Sequence, residues 1–180
     1  MDLKMPGLIR KAEPNDVPHL VKLLDAYMRE TYDGEWRGNA ERLERDLFVG
    51  REFEMLVAEN GTKEIVGFIA LNYTYDLHHC LKGSTVIDFY VLPESRGRGI
   101  GLLLAVESAA EIQKRGGDFL HGGAVENETV RRFYNRIAMS FPNGECYVSG
   151  RAFRHLAGLS GRGVRDIIKN LPAVDWNYQP

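Results

Sequence analysis

The chain has 180 residues, of which 44% are hydrophobic and 27% are charged, and its formal net charge is -2. This length suffices for one well-buried core but not for two generous domains, so we expect a single domain over 1–180 that ends in a C-terminal helix and tail at 158–180. The charged, proline-containing start of the chain and the lack of an apolar run of about 18 residues exclude a signal peptide and a membrane span, and predict a cytoplasmic protein.

Signals for metals, disulfides or nucleic acids are weak in this sequence. Cys80 and Cys146 lie far apart along the chain, which favours reduced thiols over a disulfide framework or a zinc site. His78 and His79 are adjacent, so their side chains point apart and we expect no metal site there. Basic residues do not cluster in an RNA- or DNA-binding motif, so no nucleic-acid partner is expected.

The first half of the chain predicts a strand, two helices and a strand pair. The predicted elements are a strand at 8–12, helices from residue 17 and over 39–48, and strands at 53–60 and 65–77. Apolar residues recur at i, i+3 and i+4 in the first helix, for which Asn15 or Asp16 is the expected N-cap. The two later strands are separated by a short polar turn with Gly61, which predicts an antiparallel hairpin.

The second half alternates strands and helices. The predicted elements are a strand at 84–93, a helix from 100 to about 116, a strand at 118–127, and helices at 128–140 and 164–171. A strand, a helix and a second strand in succession predict a parallel pair, so the whole is an α/β fold (α+β in some schemes) with a mixed central sheet and helices on both faces. Residues 150–157 fit either a helix or a strand. The apolar face of 164–171 suits burial against its own core or against a second subunit in a homodimer.

The glycine-rich segment SRGRGIG, residues 95–101, joins a predicted strand to the long helix. Such a turn exposes backbone N–H groups at the positive end of the helix dipole, where phosphate oxygens bind well, and Arg96 and Arg98 add positive charge. A P-loop needs a Lys-Ser/Thr pair that does not follow these glycines, and a dinucleotide motif needs a third glycine or an alanine where Leu102 stands. A turn that only relieves backbone strain is the other interpretation.

Two separate motifs resemble those of one enzyme family. The pattern Arg/Gln-x-x-Gly-x-Gly/Ala after a strand ending Val-x-Pro is filled by Arg96, Gly99 and Gly101. The pattern Asn-x-x-Ala/Val-x-x-Phe/Leu-Tyr is filled by Asn127, Val130, Phe133 and Tyr134. In these motifs and in the order of elements, residues 8–141 resemble the GNAT superfamily of acetyl-CoA-dependent N-acetyltransferases.

The resemblance implies a coenzyme site at the glycine-rich turn. In that family the loop binds the pyrophosphate of coenzyme A, and the preceding strand bulges and splays from its parallel neighbour so that the pantetheine arm inserts between them. A backbone N–H of this strand polarises the acetyl carbonyl. The implied cofactor-binding residues are Phe89, Tyr90, Val91, Arg96, Gly97, Arg98, Gly99, Ile100, Gly101, Asn127 and Phe133. Asn127 is equally well explained as a helix N-cap.

The resemblance also implies two catalytic residues. Tyr134 would protonate the leaving thiolate, because a phenol with a reference pKa of about 10 stays protonated at neutral pH. The amine must lose a proton before it attacks, which requires a base. A glutamate common in the family is replaced by Ile87, so Asp88 is the nearest candidate for the base or for a water-positioning group, and Glu126 is a weaker one.

The implied activity is transfer of an acetyl group from acetyl-CoA to a primary amine, by direct attack through a tetrahedral intermediate. Segment 70–101 is more similar to the branch that acetylates diamines and polyamines, so a small cationic amine is the expected acceptor. Acidic residues that can attract it are Asp25, Glu30, Asp33, Glu35 and Asp76. A protein N-terminus or lysine and an aminoglycoside are competing acceptors. A non-catalytic acyl-CoA sensor is the alternative function, favoured by Ile87.

Overall fold

The computed structural model describes residues 8–123 and 128–178, which form seven strands and six α-helices. The strands are β1 (Ile9–Lys11), β2 (Glu54–Glu59), β3 (Ile65–Asp76), β4 (Leu81–Val91), β5 (Phe119–Gly123), β6 (Met139–Ser140) and β7 (Glu145–Ser149). The helices are α1 (Val17–Tyr32), α2 (Ala40–Glu44), α3 (Ile100–Lys114), α4 (Glu128–Tyr134), α5 (Gly150–Ala157) and α6 (Val164–Lys169). The strands are hydrogen-bonded in the order β1-β2-β3-β4-β5-β7-β6, which confirms the mixed sheet.

The chain divides into two compact units, and β3, β4 and α3 each contribute residues to both. The first unit contains the residues up to Leu71 together with Asp88–Leu104. The second unit contains Asn72–Ile87 together with the residues from Ala105 onward. The glycine-rich turn therefore belongs to the first unit.

The first unit is built on the predicted antiparallel hairpin. β1 pairs with β2 and β2 pairs with β3, all antiparallel. One face of α1 is apolar at helical spacing, and its Leu20, Leu24 and Tyr27 lie in one core with Phe68 of β3 and Tyr90 of β4. Burial of each such side chain contributes about 1.5–3 kcal/mol relative to exposure, so this face holds α1 on the strands.

The start of α1 uses its acidic residue differently from the prediction. Asp16 occupies the N-cap position, but no side-chain hydrogen bond caps the helix. Its carboxylate instead accepts hydrogen bonds from Arg10 Nη1 and Nη2 at 2.7 and 2.8 Å and from the Glu13 N–H at 2.7 Å. The Arg10 guanidinium binds the Asp16 carboxylate, which therefore does not cap the helix. The capping pattern in the sequence gives no sign of this pairing.

The second unit contains the predicted parallel pair. β4 and β5 pair in parallel with Ser84 opposite Leu120, and β5 then pairs antiparallel with β7. Residues 150–157 form a helix, α5, which contacts β5 and β7. Phe153 and Leu156 are fully buried on its inner face. Burial of both side chains on one face of the segment therefore decides between helix and strand.

Three predicted helices differ from the prediction at their C-terminal ends. The helix predicted over 128–140 ends at Tyr134, because Met139 and Ser140 form β6 and pair with β7. The helix predicted over 39–48 is α-helical only in α2 and continues as one π-helical turn, Arg45–Gly50. The helix predicted over 164–171 ends at Lys169. Within the part of the chain that the structure describes, no helix has the length and apolar composition needed to cross a bilayer.

Candidate active site

The glycine-rich turn begins where β4 ends. β3 and β4 approach closely here, since a Cβ on Gly67 would lie 2.8 Å from the Tyr90 carbonyl oxygen. After β4, Pro93–Ser95 form one 3-10 turn, and the Arg96 N–H donates to the Pro93 carbonyl at 3.2 Å. The chain then passes through Gly97 and Gly99, whose φ angles are 73° and 86°. Because L side chains are strained at such angles, glycine is required at both positions. We call residues 96–101 the glycine corner.

The glycine corner presents backbone N–H groups at the start of α3. In the residues that the structure describes, no backbone carbonyl outside the α3 ladder accepts from the N–H groups of Gly97, Arg98, Gly99 or Ile100. The first N–H groups of any helix also lack partners within it, and the helix dipole is positive at this end. A Cβ on Gly97 would meet nothing within 4 Å. The glycine corner therefore has the open donors and the space that a diphosphate requires.

The two arginines of the glycine corner have different surroundings. Arg96 donates from Nη1 and Nη2 to Glu30 at 2.7 and 2.8 Å and from Nε to the Val91 carbonyl at 2.8 Å. Arg98 is exposed, and among the described residues it has no ion-pair partner. Arg98 is thus the cation that remains available to an anionic ligand, whereas Arg96 is held by the protein itself.

The end of β4 turns alternate side chains toward α1. Tyr27 donates a hydrogen bond to Asp88 Oδ1 at 2.8 Å, and Tyr90 donates to Glu30 at 2.9 Å. Asp88 and Tyr90 therefore share one face of the strand, as the two-residue period requires. The Tyr27 phenol also lies 3.4 Å from that of Tyr32, which is 60% exposed.

The electrostatics of this face follow from burial and from these hydrogen bonds. Burial and, after it, the contacts with Tyr32 and Asp88 raise the pKa of Tyr27 above its usual value, so Tyr27 stays protonated and donates. Burial and the Glu30 carboxylate raise the pKa of Tyr90 to about 12. No described cationic side chain forms an ion pair with Asp88. Among the described residues, the Tyr27 phenol is the recorded hydrogen-bond partner of the Asp88 carboxylate.

The second motif lies in the second unit. Tyr134 is the last residue of α4 and is buried, and its ring packs edge-on against that of Phe133 with 5.4 Å between centroids. Burial, with a smaller contribution from Cys146, raises the pKa of Tyr134 above its usual value. The phenol thus carries its proton at neutral pH, as an acid must. Asn127, the first residue of the motif, lies outside the described residues.

Most of the acidic residues expected to attract a cationic acceptor have partners in the protein. Glu30 is paired with Arg96, and Asp25 accepts from Arg29 at 2.8 Å. Glu35 contacts the same Arg29 at 3.4 Å. Asp76, in the second unit, accepts from Tyr147 at 2.6 Å and lies 2.8 Å from His79 Nδ1. Four of the five acidic side chains are thus engaged in contacts within the protein.

Comparison with known proteins identifies the family. The sequence model of the acetyltransferase (GNAT) family matches residues 20–139. This chain belongs to the GNAT acetyltransferase family. It is an acyltransferase, and acetyl-CoA is its cosubstrate. The family match runs through the glycine corner and Tyr134. No curated protein matches the chain.

Solved acetyltransferase structures share this fold at low sequence identity. A ribosomal-protein-alanine N-acetyltransferase from Brucella melitensis biovar Abortus 2308 is 24% identical over 75% of this chain and 94% of its own, with a TM-score of 0.62. YhbS of Escherichia coli, solved in complex with CoA, is 19% identical over 89% of this chain and 90% of its own, with a TM-score of 0.59. An aminoglycoside acetyltransferase from an uncultured soil metagenomic sample, in complex with trehalose, is 18% identical over 71% and 84%, with a TM-score of 0.61.

Two features of this GNAT chain were missed by sequence reasoning. The apolar spacing of α1 places Tyr27 among its core residues and gives it no role in the site, and the sequence predicts Glu30 only as one of the acidic residues that attract a cationic amine. A tyrosine at a buried helix position is a usable signal, because a buried phenol nearly always has a hydrogen-bond partner. For Glu30 the sequence holds no comparable signal, since Arg96 lies far away along the chain.

Proposed function

We propose that this GNAT acetyltransferase acetylates a small primary amine, with a cationic acceptor preferred. The glycine corner, whose open N–H groups and exposed Arg98 fit a diphosphate, carries the acetyl-CoA part of the proposal. Asp88, which has no cationic partner among the described residues, supports the cationic acceptor. We also propose that the whole chain acts as one catalytic domain, because the family match spans residues of both units. The cytoplasmic location, the homodimer and the diamine or polyamine branch stay predictions.

The coenzyme is held by the residues that the family resemblance assigns. The N–H groups of 97–101 and the charge of Arg98 would hold the diphosphate, and the backbone of Phe89, Tyr90 and Val91 would hold the pantetheine arm. The Val91 carbonyl accepts from Arg96 Nε at 2.8 Å, so this oxygen is already engaged within the protein. Acetyl-CoA supplies a thioester, an acyl group activated toward amines.

Asp88 is the proposed base. An alkylammonium with a reference pKa of about 10.4 must lose a proton before its nitrogen can attack the acetyl carbonyl carbon. The Asp88 carboxylate has no described cationic partner, so it is the group proposed to bind this ammonium and to accept its proton directly or through water. The hydrogen bond from Tyr27 occupies one of its oxygens and orients the other.

Tyr134 is the proposed acid. As the carbon–nitrogen bond forms and the carbon–sulfur bond breaks, the electron pair of the latter passes to sulfur, which then takes a proton. The raised pKa of Tyr134 guarantees that a proton is present. The ammonium gives its first proton to Asp88, which releases it to water, and the nitrogen loses a second proton to water after the carbon–nitrogen bond has formed. Tyr134 gives its proton to the sulfur and is reprotonated from water, so the net products are the amide, the thiol and one proton.

An acceptor screen tests the proposal. The purified protein is incubated with acetyl-CoA and a panel of diamines, polyamines, lysine analogues, aminoglycosides and peptides, and both free thiol and acetylated product are measured. We expect activity on small amines. Activity confined to peptides would refute the acceptor class, and CoA binding without turnover on the whole panel would favour the sensor.

A further inference from the structure

A carboxylate of α1 holds Arg96, the first residue of the glycine corner. Glu30 Oε1 accepts from Arg96 Nη1 at 2.7 Å, and Glu30 Oε2 accepts from Nη2 at 2.8 Å. Two parallel hydrogen bonds of this kind fix the plane of a guanidinium as well as its position. Because the Tyr90 phenol donates to the same carboxylate at 2.9 Å, Glu30 connects α1, β4 and the glycine corner.

The remainder of the Arg96 guanidinium is also engaged within the protein. Its Nε donates to the Val91 carbonyl at 2.8 Å, and its central carbon lies 5.4 Å from the centroid of the Tyr90 ring. Each of the three guanidinium nitrogens thus has a protein acceptor. Arg96, the first residue of the glycine corner, is therefore bound both to the end of β4 and to α1.

Gly97 depends on restraint from its neighbours. Its φ of 73° lies in the left-handed region, and no atom would contact a Cβ at this position. Glycine has the greatest backbone freedom of all residues, so ordering it costs conformational entropy. The restraint must come from the flanking chain, which is Arg96 on one side and α3 on the other. N–H groups that are ordered before the ligand arrives bind it more tightly than groups that the ligand must order.

We infer that Glu30 is a positioning residue for the glycine corner, because by holding Arg96 it fixes the direction in which the following N–H groups face. The inference rests on the proposed function, since the CoA diphosphate is the ligand that the glycine corner would hold. It also assigns Glu30 to the coenzyme side of the reaction. The charge of Glu30 is balanced by Arg96 and is not available to attract a cationic amine.

The Glu30→Gln variant tests this role by its direction of effect. The substitution keeps the length of the side chain and removes its charge. The dissociation constant for CoA, measured by isothermal titration calorimetry, is expected to rise about three- to fivefold, the effect of losing one exposed ion pair. The KM for acetyl-CoA rises equally while kcat at saturation stays unchanged. If Arg96 were instead a direct phosphate ligand, its release from Glu30 would leave CoA binding unchanged or improve it, and that result overturns the inference.

A second acetyl donor and two further variants complete the test. S-acetylpantetheine lacks the diphosphate, so its kcat/KM should be equal in Glu30→Gln and wild type; equal losses with both donors would show general disruption and overturn the inference. Glu35→Gln removes a glutamate that contacts Arg29, and CoA binding should not change. Tyr90→Phe removes only the hydroxyl that donates to Glu30, so it should raise the dissociation constant for CoA, but by a smaller factor than Glu30→Gln. This variant keeps the test open if Glu30→Gln does not fold.

The two proposals fail in distinguishable ways. A wild-type protein that does not bind CoA refutes the proposed function. A wild-type protein that binds CoA, together with a folded Glu30→Gln variant that binds it equally well, refutes only the positioning role of Glu30.

Discussion

Gly97→Ala isolates the backbone conformation of the glycine corner from steric effects. A Cβ at this position would meet nothing within 4 Å, so the added methyl group causes no clash. The φ of 73° is nevertheless unfavourable for alanine by about 1–2 kcal/mol. If the variant keeps this φ, its free energy of unfolding falls by about 1–2 kcal/mol. If the backbone instead relaxes to another φ, the N–H groups of the glycine corner no longer face the diphosphate.

The chain offers a matched control for this substitution. Gly61 lies in the turn between β2 and β3, a Cβ there also meets nothing within 4 Å, and its φ is not positive. Gly61→Ala should therefore leave stability unchanged or raise it slightly, because alanine reduces the freedom of the unfolded chain. The difference between the two variants measures the left-handed backbone alone.

The assay combines urea unfolding with calorimetric titration of CoA. For Gly97→Ala we expect a lower free energy of unfolding, a higher dissociation constant, or both, with a combined loss of about 1–2 kcal/mol. If the whole loss falls on binding, the dissociation constant rises about 5- to 30-fold. A variant as stable as Gly61→Ala, with the CoA affinity of the wild type, would refute the argument that the glycine corner needs its positive φ.

Further substitutions test the catalytic residues, the charges and the core. Tyr134→Phe should lower kcat about a hundredfold or more and leave the dissociation constant for CoA unchanged, as steady-state kinetics and calorimetry will show. Asp76→Asn should lower the free energy of unfolding by about 2 kcal/mol at neutral pH. Burial opposes ionisation of Asp76, but hydrogen bonds from Tyr147 and His79 outweigh it and lower its pKa to about 2. The contribution is therefore complete above the unfolded pKa of about 3.9 and is lost as the pH falls toward 2 in urea titrations. Phe153→Ala should cost about 3–5 kcal/mol, because this side chain is fully buried.

Each of these expectations has a result that contradicts it. A Tyr134→Phe variant with wild-type kcat at every pH would remove Tyr134 from the proton transfer. A stability difference between Asp76→Asn and wild type that does not shrink at low pH would mean that the ionised carboxylate is not the stabilising form. Phe141 is 40% exposed, so Phe141→Ala should cost less than about 1 kcal/mol; an equal cost for both phenylalanines would contradict the burial argument.

The sequence alone predicts those elements that depend on a local pattern of residues. The apolar spacing of α1, the hairpin turn before β3 and the passage from β4 through the glycine corner into α3 were predicted and are present. Each depends on residues within a few positions of one another, because side-chain periodicity and turn geometry are local properties of the backbone. The family motifs are local for the same reason, and the family match confirms the resemblance that they indicated.

The tertiary structure decided what depends on distant partners. Helix α4 ends at Tyr134 because residues 139–140 pair with β7, and α5 is a helix because Phe153 and Leu156 are buried together. The motif predicts Arg96 as a phosphate-binding residue, and it gives no sign of the carboxylate partner Glu30, which is 66 positions away in the chain. Such pairs form only after packing brings the elements together, since the energy of a charge contact depends on separation in space and not on separation in sequence.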